Sequence, residues 1–361
     1  MHFAYLKRMR FILLFLFFTS VNAHMPVFPS STSSLAPHHL SDVIGKSWGV
    51  YGDTESITWL TMDGMKGEEM TVSLQRNRDI GFYDVAIWGP GMNQVNCSTE
   101  FFGWAHGVTD SYFTRDLSEL PAAVLQAIDG SEAIVLHGDA KQDPEYETFG
   151  VNVYWPIGGC KDKFPATATY SMAVVHPQNK TQSFSLGVGM AESFTMSELL
   201  TMSFPMLQTF LWGGRSMVSL VMIFAMTCLL TYVTILCDWF SNRYTQLQPR
   251  LLSTIASYAL WLGLSGLVAS SAVWLSQLIW CLQYVDFKTS MWIAIAVYIV
   301  MPLVYVELVV GFYDPRFFTQ GTRIWSGILV IVGAVLMLFL AWQSYIVFPS
   351  LVILGAIMHM F

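Results

Sequence analysis

Four apolar runs in the second half of the chain constrain the fold of this 361-residue sequence more than any other feature. The runs 216–237 and 254–279 carry no charged side chain, 291–311 carries only Glu307, and 324–341 is apolar or small throughout. Each run has the length of a helix that crosses a hydrocarbon core, and a helix satisfies its own backbone polar groups in lipid. The sequence therefore predicts an α-helical multipass transmembrane domain in a lipid bilayer.

The hydrophobic C-terminal segment, residues 344–361, is open to two interpretations. Only 12 residues follow Pro349, and 12 helical residues are too few to return across about 30 Å of hydrocarbon. We therefore expect a re-entrant or interfacial piece. A tightly turned fifth span is the alternative.

Glu307 is the only acidic residue within a predicted span. An ionisable side chain inside a membrane is a candidate functional group, so a small-solute transporter or channel that uses Glu307 is one hypothesis. However, Glu307 lies four residues from the end of its run and near Arg316, which favours an interfacial or ion-paired carboxylate. The runs contain no row of polar residues and no charged ring that would support transport.

Small residues recur three or four positions apart in the second run, at Ala259, Gly263, Gly266 and Ser270. This spacing places them on one face of a helix, where they allow a second helix to approach closely. We interpret the face as a packing surface inside the bundle. The alternative is a contact between two copies of the chain, which would make the protein a homo-oligomer.

Residues 1–23 have the features of a signal peptide. The basic stretch LKRMR precedes the apolar run FILLFLFF, and small residues at Val21 and Ala23 mark a cleavage site. Eight apolar residues are too few to span a bilayer. The leader predicts that the domain after it is luminal or extracellular, on a multipass protein of the plasma membrane or an endomembrane.

The distribution of basic residues agrees with this orientation. The two loops that would face the cytoplasm carry four arginines, namely Arg243, Arg250, Arg316 and Arg323. The segments that would face outward near the spans carry Arg215 and Lys288. An excess of basic residues in short cytoplasmic loops is the usual pattern of multipass proteins.

Residues 46–195 read as a succession of short strands. Turn residues separate segments rich in β-branched and aromatic side chains, at 56–62, 69–74, 84–88, 133–137, 150–155, 168–175 and 183–188. This pattern predicts an all-β antiparallel sandwich, with one helix in the region 117–128. We expect a flexible N-terminal arm over 24–45 and a juxtamembrane linker over 196–215.

The order of these segments carries a resemblance to a known family. A strand like ITWLTMD leads to a turn, then to TVSL, then to YDVAIWGP, and ATYSMAVV followed by SFSLGVG comes late in the domain. Over roughly residues 56–188 this order resembles the pre-peptidase C-terminal type of β-sandwich. The resemblance implies a binding or solubilising module that accompanies other activities.

Cysteine and asparagine positions indicate an oxidising compartment. Cys97 and Cys160 are the only cysteines before the first apolar run, so we predict a disulfide between them. Asn179 begins an ordinary glycosylation sequon. Asn96 also begins one, but a disulfide at Cys97 would compete with its use.

His24 directly follows the predicted cleavage site, so the mature chain would begin with a histidine. Its amine and imidazole could both bind copper, as in the copper histidine brace, with a further ligand such as His106 or His137. The following MPVFP and the serine-rich SSTSS are typical of a flexible arm. We therefore expect an unliganded tail residue, with a copper-binding ectodomain as the alternative.

No catalytic motif stands out in the predicted ectodomain. It lacks the elbow GxSxG and the zinc motif HExxH, and we read the acidic loop GDAKQDPEYE, residues 138–147, as a solvated face. Acidic residues outnumber basic ones in 24–205, which excludes nucleic acid as a partner. The sequence favours a non-catalytic binding, adhesion or sensor ectodomain for an unknown protein or carbohydrate ligand, without a cofactor.

Overall fold

The structure, a computed structural model, describes residues 25–29, 32–76, 82–97, 113–138, 143–147, 151–176, 183–189, 195, 198, 202–243, 251–312, 320–340 and 347–360. Within these residues the amino-terminal half forms two β-sheets, and the carboxyl-terminal half forms a bundle of helices.

The strands of the described residues fall into two sheets of six. Their bounds are β1 (Met25–Val27), β2 (His38–Leu40), β3 (Trp48–Asp53), β4 (Thr58–Gly64), β5 (Glu69–Arg76), β6 (Asp84–Trp88), β7 (Phe113–Thr114), β8 (Ala133–His137), β9 (Glu145–Glu147), β10 (Asn152–Lys163), β11 (Ala168–Val175) and β12 (Ser183–Val188). The first sheet has the order β1-β3-β12-β5-β10-β9 and the second has the order β2-β4-β11-β6-β8-β7.

A sandwich-like arrangement of two sheets is confirmed, but the prediction that it is wholly antiparallel is wrong. At one edge of the first sheet β1 runs parallel to β3, and at one edge of the second sheet β2 runs parallel to β4. Both sheets are therefore mixed. The remaining pairs of strands are antiparallel.

Both parallel strands belong to the stretch 24–45, which the sequence predicted to be a flexible arm. The structure corrects this expectation, because β1 and β2 pair with the two sheets and Leu40 is fully buried in the sandwich core. A three-residue strand is too short to show an alternation of apolar and polar residues, so its sequence carries no strand signal.

The core of the sandwich lies between the sheets and follows the alternation of the strands. Met70, Val72 and Leu74 of β5 point inward, opposite Leu186 of β12 and its neighbours, while the residues between them face outward. This two-residue period is the geometry of a strand with one face on a core.

The second sheet is covered on its other face by a short helix, α1 (Ala122–Ile128). Val124 and Ile128 of α1 pack with Trp59 and Trp88, whose rings meet edge to face at 6.2 Å between centroids. Because both faces of this sheet are apolar, it is held between the first sheet and α1. The helix predicted over 117–128 is thus present in its second half.

The helices of the second half are α2 (Ser203–Trp212), α3 (Met217–Arg243), α4 (Leu251–Cys281), α5 (Met291–Ile295), α6 (Met301–Phe312), α7 (Gln320–Leu340) and α8 (Val347–Met360). A π-helical turn, Ala296–Val300, joins α5 to α6. Three stretches of the described residues are long and apolar enough to cross a membrane: Met217–Cys237, Ile255–Cys281 and Met291–Val310. The apolar parts of α7 and α8 are shorter, at Ile324–Met337 and Val347–Met358.

The π-helical turn ends just before Pro302, which lies in the first turn of α6. Proline has no N–H to donate to the carbonyl four residues earlier, and its ring clashes with that carbonyl. That carbonyl belongs to Tyr298, inside the π-helical turn. The wider π-helical turn therefore accommodates Pro302.

The C-terminal helix α8 packs lengthwise on α4. A Cβ added at Gly263 would lie 2.7 Å from Cγ2 of Val352, and one at Gly266 would strike the ring of Phe348. The small-residue face of α4 is thus occupied within the chain, by α8. The side chain of Glu307, on α6, is exposed on the surface of the bundle.

Candidate functional site at the junction of sandwich and helices

One apolar cluster joins the sandwich to the helices, and we call it the junction. From the sandwich side it contains Tyr146, Val151, Val153 and Trp155. From the helix side it contains Met206 and Phe210 of α2, Trp274, Leu278 and Cys281 of α4, and Met291, Ala294 and Tyr298 around α5. The junction is a buried contact between the two halves of the chain.

Strand β10 takes part in two cores. Ile157 and Cys160 lie in the sandwich core, whereas Val153 and Trp155 lie in the junction. An irregularity in the pairing of β10 with β5, between Pro156 and Gly158, separates the two parts. A single strand thus connects the centre of the sandwich to the helices.

Helix α2 lies in the segment that the sequence predicted to be a linker. Pro205 occupies its first turn, where the missing N–H is not needed. The helix ends before Gly214, whose φ of 90° is a left-handed conformation that favours glycine. Because Met206 and Phe210 are almost fully buried, this segment is packed against its surroundings.

An ion pair ties the same segment to the sandwich. Lys46 Nζ donates to Glu198 Oε1 at 2.6 Å, with both side chains largely buried. The N–H of Thr195 donates to Glu198 Oε2 at 2.7 Å, and the N–H of Glu198 donates to Thr195 Oγ1 at 3.3 Å, which is a capping box. Burial alone would raise the pKa of Glu198, but these hydrogen bonds lower it overall.

Aromatic rings fill much of the junction. Trp155 of β10 meets Tyr284 edge to face at 5.5 Å between ring centroids. Tyr51 of β3 meets Trp212 of α2 at 5.0 Å in the same manner. Such pairs add about 0.5–1.5 kcal/mol each beyond the area that they bury. The sandwich is therefore fixed to the helices from two strands of its first sheet.

Val151 occupies an unusual position between β9 and β10. Its φ is 46°, a left-handed conformation that is strained for a β-branched residue. Its side chain is 1% exposed and lines a narrow apolar crevice with Trp274, Leu278, Ala294, Tyr298 and Ile299. The thiol of Cys281 donates to the carbonyl oxygen of Val151, with 3.4 Å between sulfur and oxygen.

Polar groups around Cys281 are buried without full hydrogen bonding. Gln277 is 0% exposed, and its Nε2 lies 4.0 Å from the sulfur of Cys281. Gln277 Oε1, the Tyr146 hydroxyl and Arg215 Nε have no hydrogen-bond partner among the described residues. Burying such an atom unpaired costs about 1–3 kcal/mol. The packing of the sandwich on the helices therefore includes a free-energy cost from unpaired polar atoms, which the apolar contacts of the junction offset.

Glu145 of β9 lies at the edge of the junction. It accepts a hydrogen bond from the Tyr154 hydroxyl at 3.1 Å, and Lys288 of the α4–α5 loop is close enough to act on it. Burial raises the pKa of Glu145 above its ordinary value of 4.5, and the hydrogen bond and Lys288 only partly oppose this. The sequence had suggested a solvated acidic loop here.

We expect the contribution of Glu145 to the stability of the junction to rise as the pH falls toward 4.5. Because the folded-state pKa of Glu145 is raised, its stabilising contribution is complete below the unfolded value of 4.5 and is lost as the pH rises through the folded pKa. Thermal unfolding of the protein in nanodiscs, between about pH 7.5 and about pH 4.5, measures this. The pH dependence of Glu145→Gln should be flatter than that of wild type. Equal dependence in both would contradict the assignment.

The copper-binding alternative stays a prediction, because two of its three candidate ligands fall outside the described residues. His24 and His106 lie outside them, while His137 is on β8 with Nδ1 3.3 Å from Asp84 Oδ1 on the paired strand. In the part of the chain that the structure describes, no group of three His, Cys, Asp or Glu side chains could hold a metal ion.

The predicted disulfide is present. Cys97 and Cys160 are joined with 2.08 Å between their sulfurs, and Cys160 lies in the sandwich core. Asn179 lies outside the described residues, and Asn96 is exposed next to the disulfide. Cys228, Cys237 and Cys281 are free thiols.

Sequence reasoning missed the junction and its residues. Cys281 lies 130 residues after Val151 along the chain, and neither residue belongs to a motif. A pattern analysis cannot detect the left-handed φ of Val151, because valine usually marks a strand. Pro302, four residues after Tyr298, is a partial signal, because proline disturbs the helical turn that precedes it.

Together these features define a class of protein: a sandwich-like domain of mixed sheets with one disulfide, docked on helices of which three could span a membrane. The chain matches no protein-family model, and no curated protein matches it. Its function is therefore inferred from the residues of the junction themselves.

Proposed function

We propose that this protein is a multipass membrane sensor. Its sandwich-like domain binds a luminal or extracellular protein or carbohydrate without catalysis, and the junction transmits that binding to the helices. The observation that carries the proposal is the continuous buried cluster from Trp155 of β10 to Trp274 of α4 and Tyr298.

A sensor needs this contact more than an adhesion module does. A domain that only binds a neighbour can be attached to the membrane through a flexible linker, because such a linker leaves its binding surface unchanged. Here the ion pair of Lys46 with Glu198, the packing of α2 and the aromatic pairs restrain the domain on the helices. A ligand that favours one arrangement of the sandwich would thereby act on α4 and α5.

The disulfide and the charge distribution support the orientation. Disulfides persist in oxidising compartments, so the pair Cys97–Cys160 favours a luminal or extracellular sandwich. The sandwich packs on the end of the bundle that holds the α4–α5 loop. In the proposed topology that loop is on the outer side, and the arginine-rich loops are cytoplasmic.

Synthetic binders can replace the unknown ligand in a test. Nanobodies selected on the full-length protein in nanodiscs, and mapped to the sandwich, are added while hydrogen exchange is followed in α4 and α5. We expect some of them to change exchange at the outer ends of these helices. Trp155→Ala should abolish the effect, because it removes the contact with Tyr284. The matched control is Trp59→Ala, equally buried but on the far sheet.

The absence of any effect on the helices would mean that the sandwich binds its ligand without transmitting a signal. If nanobodies protect their epitopes but leave the exchange of α4 and α5 unchanged in wild type, the junction does not transmit binding. An effect that survives in Trp155→Ala and disappears in Trp59→Ala would contradict the proposed route.

A further inference from the structure

Two unusual backbone conformations face each other across the junction. On the sandwich side, Val151 holds a φ of 46°. On the helix side, Tyr298 and Ile299 belong to the π-helical turn and line the same crevice as Val151. Strained residues persist only where surrounding contacts hold them, and they concentrate at sites that change conformation. Single π-helical turns are likewise frequent at functional sites.

Buried polar atoms without partners also destabilise the contact between the sandwich and the helices at the same place. The Tyr146 hydroxyl and Gln277 Oε1 are buried without a hydrogen-bond partner among the described residues, and both residues lie beside Cys281. Water would satisfy these atoms if the contact opened. Apolar packing around Trp274 and Leu278 opposes this opening.

We propose that the contact of Val151 with its crevice is a two-state joint. In the docked state the crevice holds Val151 in its left-handed conformation. In the undocked state Val151 relaxes to an extended conformation and Cys281 loses its contact with the Val151 carbonyl. The docked state carries strain and unpaired polar atoms, which reduce its stability relative to the undocked state. A ligand that binds one of the two states only modestly more tightly than the other can therefore shift the population between them.

This inference rests on the proposed sensor function, because it names the place where transmission occurs. The two-state joint does not follow from the burial of Val151 alone. A contact that only packs would be weakened in proportion to the side-chain volume removed. A strained contact behaves differently, because glycine adopts a positive φ without cost and alanine does not.

The thiol of Cys281 reports on the joint, since it is 0% exposed in the docked state. With Cys228 and Cys237 replaced by alanine, Cys281 is the one remaining free thiol of the sequence once Cys97 and Cys160 are paired. Its rate of reaction with N-ethylmaleimide is measured in nanodiscs. We expect Val151→Ala to react about tenfold faster than the parent, because the crevice is left underfilled.

The decisive comparison is between glycine and alanine at two positions. At Val153, a strand residue of the same cluster, glycine should expose Cys281 several times faster than alanine, since glycine weakens a strand. At Val151 the order should be equal or reversed, because glycine removes the strain. A glycine-to-alanine ratio at Val151 as large as that at Val153 would overturn the proposal.

A second pair keeps the test usable if alanine at position 151 prevents folding. Val151→Ile and Val151→Leu add the same apolar volume, but only isoleucine is branched at Cβ and so keeps the strain of a positive φ. The proposal expects slower labelling in Val151→Leu than in Val151→Ile, and the reverse order would contradict it. No ligand is used, so failure here with intact nanobody coupling would reject the joint and leave the sensor function standing.

Discussion

Gly263→Val is expected to displace the C-terminal helix from α4. A Cβ at this position would lie 2.7 Å from Cγ2 of Val352, 2.8 Å from the carbonyl oxygen of Phe348 and 2.9 Å from the amide nitrogen of Val352. Two of these atoms belong to the backbone of α8, which cannot rotate away as a side chain can. Overpacking of this kind costs about 1–3 kcal/mol or more. We expect a loss of about 3 kcal/mol, measured by unfolding in mixed detergent micelles.

The neighbouring residue supplies the control for this experiment. Leu262 is on the same turn of α4 but is 41% exposed, so Leu262→Val should change the stability by less than about 0.5 kcal/mol. Light scattering of both variants also addresses the alternative of a homo-oligomer through this face. If Gly263→Val lowers the oligomer mass without destabilising the bundle, the face binds another copy and not α8.

The behaviour of α8 shows what the sequence could predict of the helices. The small residues of the second run indicated a close helix contact, and Gly263 and Gly266 do make one. The partner was not predictable, because Phe348 and Val352 lie in a segment that is apolar on all sides. Pro349 lies in the first turn of α8, where proline is tolerated, so the helix continues on both sides of it.

The sandwich was predictable at strands whose sequence is rich in β-branched and aromatic residues. Strands β4, β5, β6, β11 and β12 were all predicted to within a few residues, because each lies in such a run between turn residues. Strands β1 and β2 were not predicted, since three residues show no period. Their parallel pairing with β3 and β4 depends on the path that the chain takes between the paired strands, and no local sequence pattern determines that path.

The junction could not be predicted, for a related reason. Its contacts join residues such as Val151 and Cys281, which are separated along the chain by strands β10, β11 and β12 and by helices α2 and α3. Each residue alone fits an ordinary strand or an ordinary span. Only the folded chain brings strain at Val151, the π-helical turn and the buried polar atoms to one place.

Removal of the disulfide should produce the other large effect. The bond between Cys97 and Cys160 closes a loop of 63 residues, which corresponds to about 4 kcal/mol in the chain-entropy account. The double variant Cys97→Ala, Cys160→Ala should lower the unfolding temperature of the sandwich by on the order of 10 °C. Differential scanning calorimetry of the full-length protein in nanodiscs measures this loss.

Two comparisons separate the loss of the loop constraint from the loss of packing. Cys160 is fully buried in the sandwich core, so its replacement also removes contacts, whereas reduction of the wild-type bond by dithiothreitol does not. Both treatments should lower the transition temperature, with the larger drop in the variant. Replacement of Cys228 and Cys237, free thiols of α3, should leave the sandwich transition unchanged. If reduction has no effect while the double variant unfolds, packing at Cys160 and not the covalent loop stabilises this domain.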